Sequence, residues 1–291
     1  MIQCIEQNHA EYEQIVSKYI ISAIEQGAPV NLLNGQVGHN LKFGNSFLEK
    51  ILGSNFQENN AKYLVISIIG AQSSAKSTLL NFLFGCGFAT SAGRCTKGLY
   101  MTIMKHPDGL NLVILDIEGL LSPGNLKDNI FDNRMCLMAF LCSHIVIINH
   151  KGDITKTLEE ILGISIFAIK ALKESEKKTI VMWSLRDQDY SNADLESIQR
   201  KMLGDVVKAL QEQISKYLFE EIENVDEIKI KKETNELVSF IQLHPEDLFP
   251  FSSAYYTDKG ENEVRLRQLS KFFPDQIMFM KNRILNTLSK S

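Results

Sequence analysis

The 291 residues are 44% hydrophobic and 23% charged, with 17 Gly and 6 Pro, a balance that excludes the disordered and fibrous classes and supplies a full core. Thirty-one basic against 35 acidic side chains leave a net charge of −4 and no long basic stripe, so nucleic acid is not an expected partner. Five cysteines, Cys4, Cys86, Cys95, Cys136 and Cys142, never stand as C-x-x-C and signal neither a zinc site nor a disulfide framework, which points to a reducing, cytoplasmic setting.

Residues 1–14 carry acids where a leader would carry bases, and read as mature sequence. Tyr12, Ile15, Val16, Tyr19, Ile20 and Ala23 recur at helical spacing, and 46–52 forms a second helical piece. Residues 1–60 are therefore expected to form a helical extension packed on a domain spanning 61–291. The run from Tyr63 to Ile69 is short, β-branched and nearly all apolar, as a central parallel strand would be. Further strands are expected at 99–105, 111–116, 144–149 and 179–185, with helices near 76–84, 130–142, 155–173 and 190–217. His106-Pro-Asp-Gly109 makes a hairpin turn, so one strand runs antiparallel. Beyond Leu218 the chain is acidic, then mixed, then amphipathic, and it closes on a helical pattern over 261–289. This alternation predicts an α/β fold: a mostly parallel central sheet with one antiparallel strand, helices on both faces and extra helical segments at both ends. No apolar run reaches the roughly 18–20 residues of a bilayer span, so any membrane contact is expected to be peripheral.

Directly after the first buried strand stands Gly70-Ala-Gln-Ser-Ser-Ala-Lys-Ser77, followed by the helical Thr78-Leu-Leu-Asn-Phe-Leu-Phe84. It differs by one residue from G-x-x-x-x-G-K-[ST], which makes the expected α/β fold that of a P-loop NTPase. A tight loop and a helix N-terminus together present N–H groups to phosphate. Gly70, Ser74, Ala75, Lys76, Ser77 and Thr78 are the expected nucleotide contacts. Lys76 neutralises the β- and γ-phosphates, and the Ser77 hydroxyl is a ligand for Mg²⁺. Ala75 stands where the pattern has glycine, and a left-handed backbone there costs on the order of 1–2 kcal/mol.

Asp116-Ile-Glu-Gly119 ends a later strand, with Asp116 placed for the Mg²⁺ shell and the Gly119 N–H for a γ-phosphate. Between these motifs, Thr96 is the expected loop residue that closes over Mg²⁺ and opens after hydrolysis. Arg94 is the candidate internal arginine finger, with a surface or partner role as the competing reading. For guanine recognition two candidates compete: Asn149-His-Lys-Gly-Asp153, and Arg186-Asp187 after the next strand. Topology selects Asp187, with Arg186 beside the base. Ser252, Ser253 and Ala254 follow the last short strand and are candidates for backbone contacts to the base, with a capping turn as the competing reading.

These motifs resemble the G domain of the large, dynamin-related GTPases. Gln72-Ser73 is similar to the dynamin loop, and Arg186-Asp187 resembles the base motif of guanylate-binding proteins and atlastins. Gln72-Ser-Ser-Ala-Lys-Ser-Thr-Leu-Leu-Asn81, Phe88-Ala-Thr-Ser-Ala-Gly-Arg-Cys-Thr-Lys-Gly98 and Asp116-Ile-Glu-Gly-Leu120 with Asp132-Asn133 most resemble the very large interferon-inducible type. The resemblance implies GTP and GDP as ligands, Mg²⁺, GTP hydrolysis with Gln72 and Ser73 orienting water or contacting the β–γ bridge, and a nucleotide-dependent homodimer. The arginine that guanylate-binding proteins carry in this loop is absent, which with Ala75 leaves a weakly active or inactive GTP-gated scaffold as the alternative.

Overall fold

The computed structural model describes residues 15, 18–24, 26–34, 42–43, 63–90, 96, 98–105, 110–121, 129–152, 161, 163, 165, 168–170, 179–187, 195–221, 227–241, 243–252, 255–259, 265–269 and 273–288. Among them, eight strands form one sheet: β1 (Val30–Asn34), β2 (Lys42–Phe43), β3 (Tyr63–Ile69), β4 (Leu99–Lys105), β5 (Asn111–Ile117), β6 (Ile145–Lys151), β7 (Ile180–Arg186) and β8 (Leu248–Pro250). Their spatial order is β2-β1-β4-β5-β3-β6-β7-β8. From β5 to β8 all pairings are parallel, while β4 pairs antiparallel with β5, as the hairpin reading expected. Residues 106–109, the hairpin turn itself, lie outside the described residues.

The sheet is buried on both faces, which is why its strands read as apolar runs rather than alternations. On one side α1 (Lys76–Phe84) and α5 (Phe273–Leu288) pack Leu79, Leu80, Leu83, Ile277, Met280 and Ile284 against Leu64, Ile66 and Ile68 of β3. On the other, α2 (Asn129–Cys142) and α3 (Leu195–Glu221) share a core with Val146, Ile148, Val181 and Trp183, and α4 (Glu227–Phe240) packs on α3. In α3 the buried Val206, Leu210, Ile214 and Leu218 recur every fourth residue, one apolar stripe on a long polar helix. Trp183, the lone tryptophan, is fully buried core.

Several expectations need correction. Within 1–60, the helical pattern holds only at residue 15 and over 18–24 among the described residues, whereas 30–34 and 42–43 are strands. β1 pairs antiparallel with β4 through Val30↔Met101 and Leu33↔Leu99, so the sheet continues across the division expected at residue 60. The helix expected over 46–52 lies outside the described residues. The helical closing pattern over 261–289 begins only at Phe273, with Pro274 in the first turn where its missing N–H costs nothing. Residues 265–269 form β10 (Arg265–Leu269), paired antiparallel with β9 (Tyr255–Lys259) in a separate two-stranded ribbon. Cross-strand pairing overrode a local sequence, Arg-Leu-Arg-Gln-Leu, whose composition suits a helix equally well.

The chain leaves β3 toward β5 on one side and later returns to β6 on the other. This reversal opens a crevice at the carboxyl ends of the parallel strands, the place where open α/β sheets bind ligands.

Candidate functional site

Five segments converge on that crevice: the loop after β3, the ends of β5, β6 and β7, and residues 251–252 after β8. The phosphate loop runs from Gly70 to Ala75. A Cβ on Gly70 would stand 2.2 Å from the Asn149 carbonyl oxygen, so only glycine fits. Ser73 and Ala75 are both left-handed, at φ 59° and 58°. Ala75 is thus an alanine in the conformation that glycine adopts freely, and α1 begins directly after it. Replacing Ala75 with glycine removes on the order of 1–2 kcal/mol of backbone strain. Glycine's extra unfolded-state entropy takes back about 0.5–1 kcal/mol. We expect Ala75→Gly to raise unfolding free energy by about 0.5–1 kcal/mol in urea titrations.

Lys76 is 6% exposed. Its Nζ donates to the carbonyl oxygens of Ala71 at 3.0 Å and Gly70 at 3.3 Å, so the ammonium lies inside the loop. Burial lowers its pKa to about 8, against the raising fields of Asp116 and Glu118, and Arg186 lowers it further. A phosphate ligand favours the charged form, so ligand binding raises this pKa and takes up a proton near pH 8. Affinity therefore falls as pH rises above about 8, because the free protein increasingly offers a neutral amine. Calorimetry in two buffers of different ionisation heat checks this, since identical heats at pH 8 would show that no proton moves.

Ser77, Thr96 and Asp116, expected from the sequence to share a metal, meet in space. Ser77 Oγ donates to Asp116 Oδ2 at 2.6 Å and Thr96 Oγ1 to the same oxygen at 3.0 Å, with the two hydroxyls 3.3 Å apart. Burial pushes the Asp116 carboxyl above the usual carboxylate range, opposed by the Ser77 hydrogen bond, the Lys76 charge and the Thr96 hydrogen bond. Its Oδ1 is buried with no hydrogen-bond partner among the described residues. An orphaned carboxylate oxygen beside two hydroxyls is a hard-oxygen donor set, and it fits Mg²⁺, whose remaining ligands are typically phosphate and water.

The segment after β5 is fastened to the phosphate loop. Gln72 N–H donates to the Leu120 carbonyl and Leu120 N–H to the Gly70 carbonyl, each at 3.0 Å. Gly119 sits where a Cβ would lie 2.4 Å from Gln72 Cα. Gln72 Oε1 is buried with no partner among the described residues, while Ser73 is exposed. Thr78 stands in the first turn of α1. Arg94 lies outside the described residues, as do Ser253 and Ala254.

At the end of β7, Asp187 is left-handed at φ 58° and its carboxylate lies 3.5 Å from Lys151 Nζ. Gly152 N–H donates to the Arg186 carbonyl at 2.8 Å, so the ends of β6 and β7 stay stitched together. Arg186 is half-buried, its Nε has no partner among the described residues, and burial lowers its pKa. Ser252 is held by Gln276 of α5, whose Oε1 accepts from its N–H at 3.0 Å and its Oγ at 3.1 Å. His144 accepts from the Val65 N–H at 3.1 Å through Nδ1, a structural role.

Three residues escaped sequence reasoning. Glu118 Oε2 accepts from the Gly98 N–H at 2.6 Å while its own N–H donates to the Gly98 carbonyl at 2.7 Å, joining the segment after Thr96 to the one after Asp116. Asp132 Oδ2 accepts from the N–H of left-handed Leu121 at 2.9 Å. Asn149, weighed only as part of a rejected base motif, reaches the phosphate loop. The available signal was a polar residue closing an apolar strand.

A sheet in this order, parallel from β5 to β8, with a phosphate loop after its central strand and a hydroxyl–carboxylate cluster beside the loop, is the architecture of the P-loop nucleoside triphosphatases. The chain belongs to the URGCP-like GTPase domain family, whose profile matches residues 2–238. It is 35% identical over 157 residues to interferon-induced very large GTPase 1 of Mus musculus, covering 51% of this chain and 6% of that protein. It is 27% identical over 178 residues to Protein SEY1 of Phaeosphaeria nodorum, covering 55% of this chain and 20% of that protein. The chain thus spans a small part of the curated relatives it matches. Among solved structures, Toc33 from Arabidopsis thaliana superposes with a TM-score of 0.40 at 8% identity over 80% of this chain and 88% of that one.

Proposed function

We propose that this GTPase domain binds Mg²⁺·GTP in the crevice, hydrolyses it to GDP and phosphate, and uses the reaction as a switch that assembles a cytoplasmic homodimer through the nucleotide face. The observation that carries the reading is the meeting of Ser77, Thr96 and Asp116 beside a buried, positively charged Lys76. Lys76 turns its donors from the Gly70 and Ala71 carbonyls to the β- and γ-phosphates. Backbone N–H groups of the loop and of α1 hold the phosphate oxygens, and the Gly119 N–H meets the γ-phosphate. Gln72 and Ser73 orient the attacking water. Ser77, Thr96 and Asp116 would hold Mg²⁺, which supplies neutralisation of the charge developing on the phosphate oxygens. Loss of the γ-phosphate frees Thr96, and the reciprocal bonds between Glu118 and Gly98 carry that change between the two loops. Arg186 and Asp187 read the guanine base. Similarity to the dynamin-related GTPases supports the homodimer, and no helix among the described residues is long and apolar enough to cross a membrane.

Turnover per molecule, with Mg²⁺ or with a chelator, across a hundredfold range of protein concentration and beside an ATP control, tests the whole reading. We expect Mg²⁺-dependent GTP turnover that rises with concentration, and little ATP turnover. Absence of turnover with both nucleotides at every concentration would overturn hydrolysis, and a flat specific activity would overturn the stimulated dimer.

A further inference from the structure

Asn149 is fully buried at the end of β6, and its hydrogen bonds are not used in the hydrolysis just described. Its Nδ2 donates to the Ser74 carbonyl at 2.6 Å and lies 3.1 Å from Ser74 Oγ, while Ser184 Oγ on β7 donates to its Oδ1 at 3.0 Å. A carbonyl only accepts, so the amide must turn Nδ2 toward Ser74 and Oδ1 toward Ser184, which fixes its orientation. Asn149 and Ser184 are register partners in the parallel pairing of β6 with β7. The clamp is therefore carried by paired strands, a firmer mount than a loop.

The peptide that Asn149 grips is the one joining Ser74 to Ala75. In a planar trans peptide the C=O and the N–H point to opposite sides. Pinning the Ser74 oxygen against β6 therefore turns the Ala75 N–H away from β6, to the side of the loop where backbone donors meet phosphate. Ala75 is left-handed at φ 58°, a conformation that an alanine leaves readily when nothing holds it.

We propose that Asn149 is a positioning residue for phosphate binding, holding the Ser74–Ala75 peptide in the orientation that Ala75 by itself disfavours, with Ser184 aligning the amide. The inference rests on the reading of this loop as the nucleotide site. It assigns to the clamp the work that glycine does in the common form of the loop, and it links the phosphate site to β7, the strand that ends in Arg186 and Asp187.

A double-mutant cycle read by fluorescent GDP binding, with a thermal melt for each variant, tests it. Asn149→Ala is expected to weaken GDP binding about tenfold, the scale of one lost hydrogen bond. In an Ala75→Gly background the same change is expected to cost no more than about twofold, because glycine takes the left-handed conformation freely. Ser184→Ala, a smaller lesion, is expected to weaken binding about threefold and to lose that effect beside Ala75→Gly; it carries the test if Asn149→Ala does not fold. Equal losses in both backgrounds would make Asn149 an ordinary buried polar residue and overturn the proposal, as would no loss at all. Failure of the unmodified chain to bind GDP would instead remove the nucleotide reading on which it rests.

Discussion

Lys76→Met is expected to lower single-turnover GTP hydrolysis on the order of a hundredfold to a thousandfold, the scale set by removing one preorganised donor from a charge-stabilising site. The effect is large because the ammonium sits 3.0 and 3.3 Å from two loop carbonyls inside a buried pocket, where a charge acts through little screening water. Methionine fills most of the lysine stem's volume, so the loop keeps its packing while losing the charge. A second loss follows. The Lys76 charge helps to hold the Asp116 carboxyl down against burial, and without it Asp116 shifts further toward its neutral form, which suits a cation poorly. The variant should therefore need more Mg²⁺ for half-maximal activity as well as showing a lower maximum. Lys76→Arg is not expected to rescue, since the planar guanidinium is longer and has a different donor geometry. Unchanged single-turnover rates in Lys76→Met would show that the phosphates sit elsewhere.

The sequence declared the phosphate loop through three adjoining local signals: the β-branched run of β3, the small polar residues from Gly70 to Ala75, and the apolar helix that follows. Ser77, Thr96 and Asp116 were legible as a set because each has a fixed place relative to a strand, and the structure brings their oxygens together. Asp187 was selected by counting strands, since Arg-Asp has almost no specificity as a dipeptide, and β7 ends beside β6 as that count required. The Asn149 contact to Ser74 spans 75 residues and that of Glu118 to Gly98 spans 20. No local periodicity encodes such pairs. β1, β9 and β10 were missed for a related reason: each is a five-residue strand whose identity comes from its partner rather than from alternation. Ala75 was legible as a departure from the glycine pattern. That a strand-borne amide stands behind it was not.

Asp187→Asn is expected to weaken GTP binding about a hundredfold and to improve binding of xanthosine triphosphate, the second large effect. Guanine presents two donors on one edge, N1–H and the 2-amino group, and a carboxylate accepts both. Asparagine replaces one acceptor with an NH₂, which opposes the 2-amino group of guanine but donates to the 2-oxo group of xanthine. Fold should survive, because asparagine tolerates the left-handed conformation that Asp187 adopts. Lys151 is 63% exposed, so its 3.5 Å contact orients the carboxylate more than it stabilises the protein. Asp187→Ala serves as the control, since it removes both acceptors without adding a donor and should bind both nucleotides weakly. ATP is not expected to gain from Asp187→Asn, because adenine carries no 2-oxo group to receive the new donor. Competition against fluorescent GDP gives all three affinities on one scale. If Asp187→Asn kept its preference for guanine over xanthine, base reading would pass from the end of β7 to the segment after β6. Asp153, the carboxylate of the competing motif, would then be the residue to change.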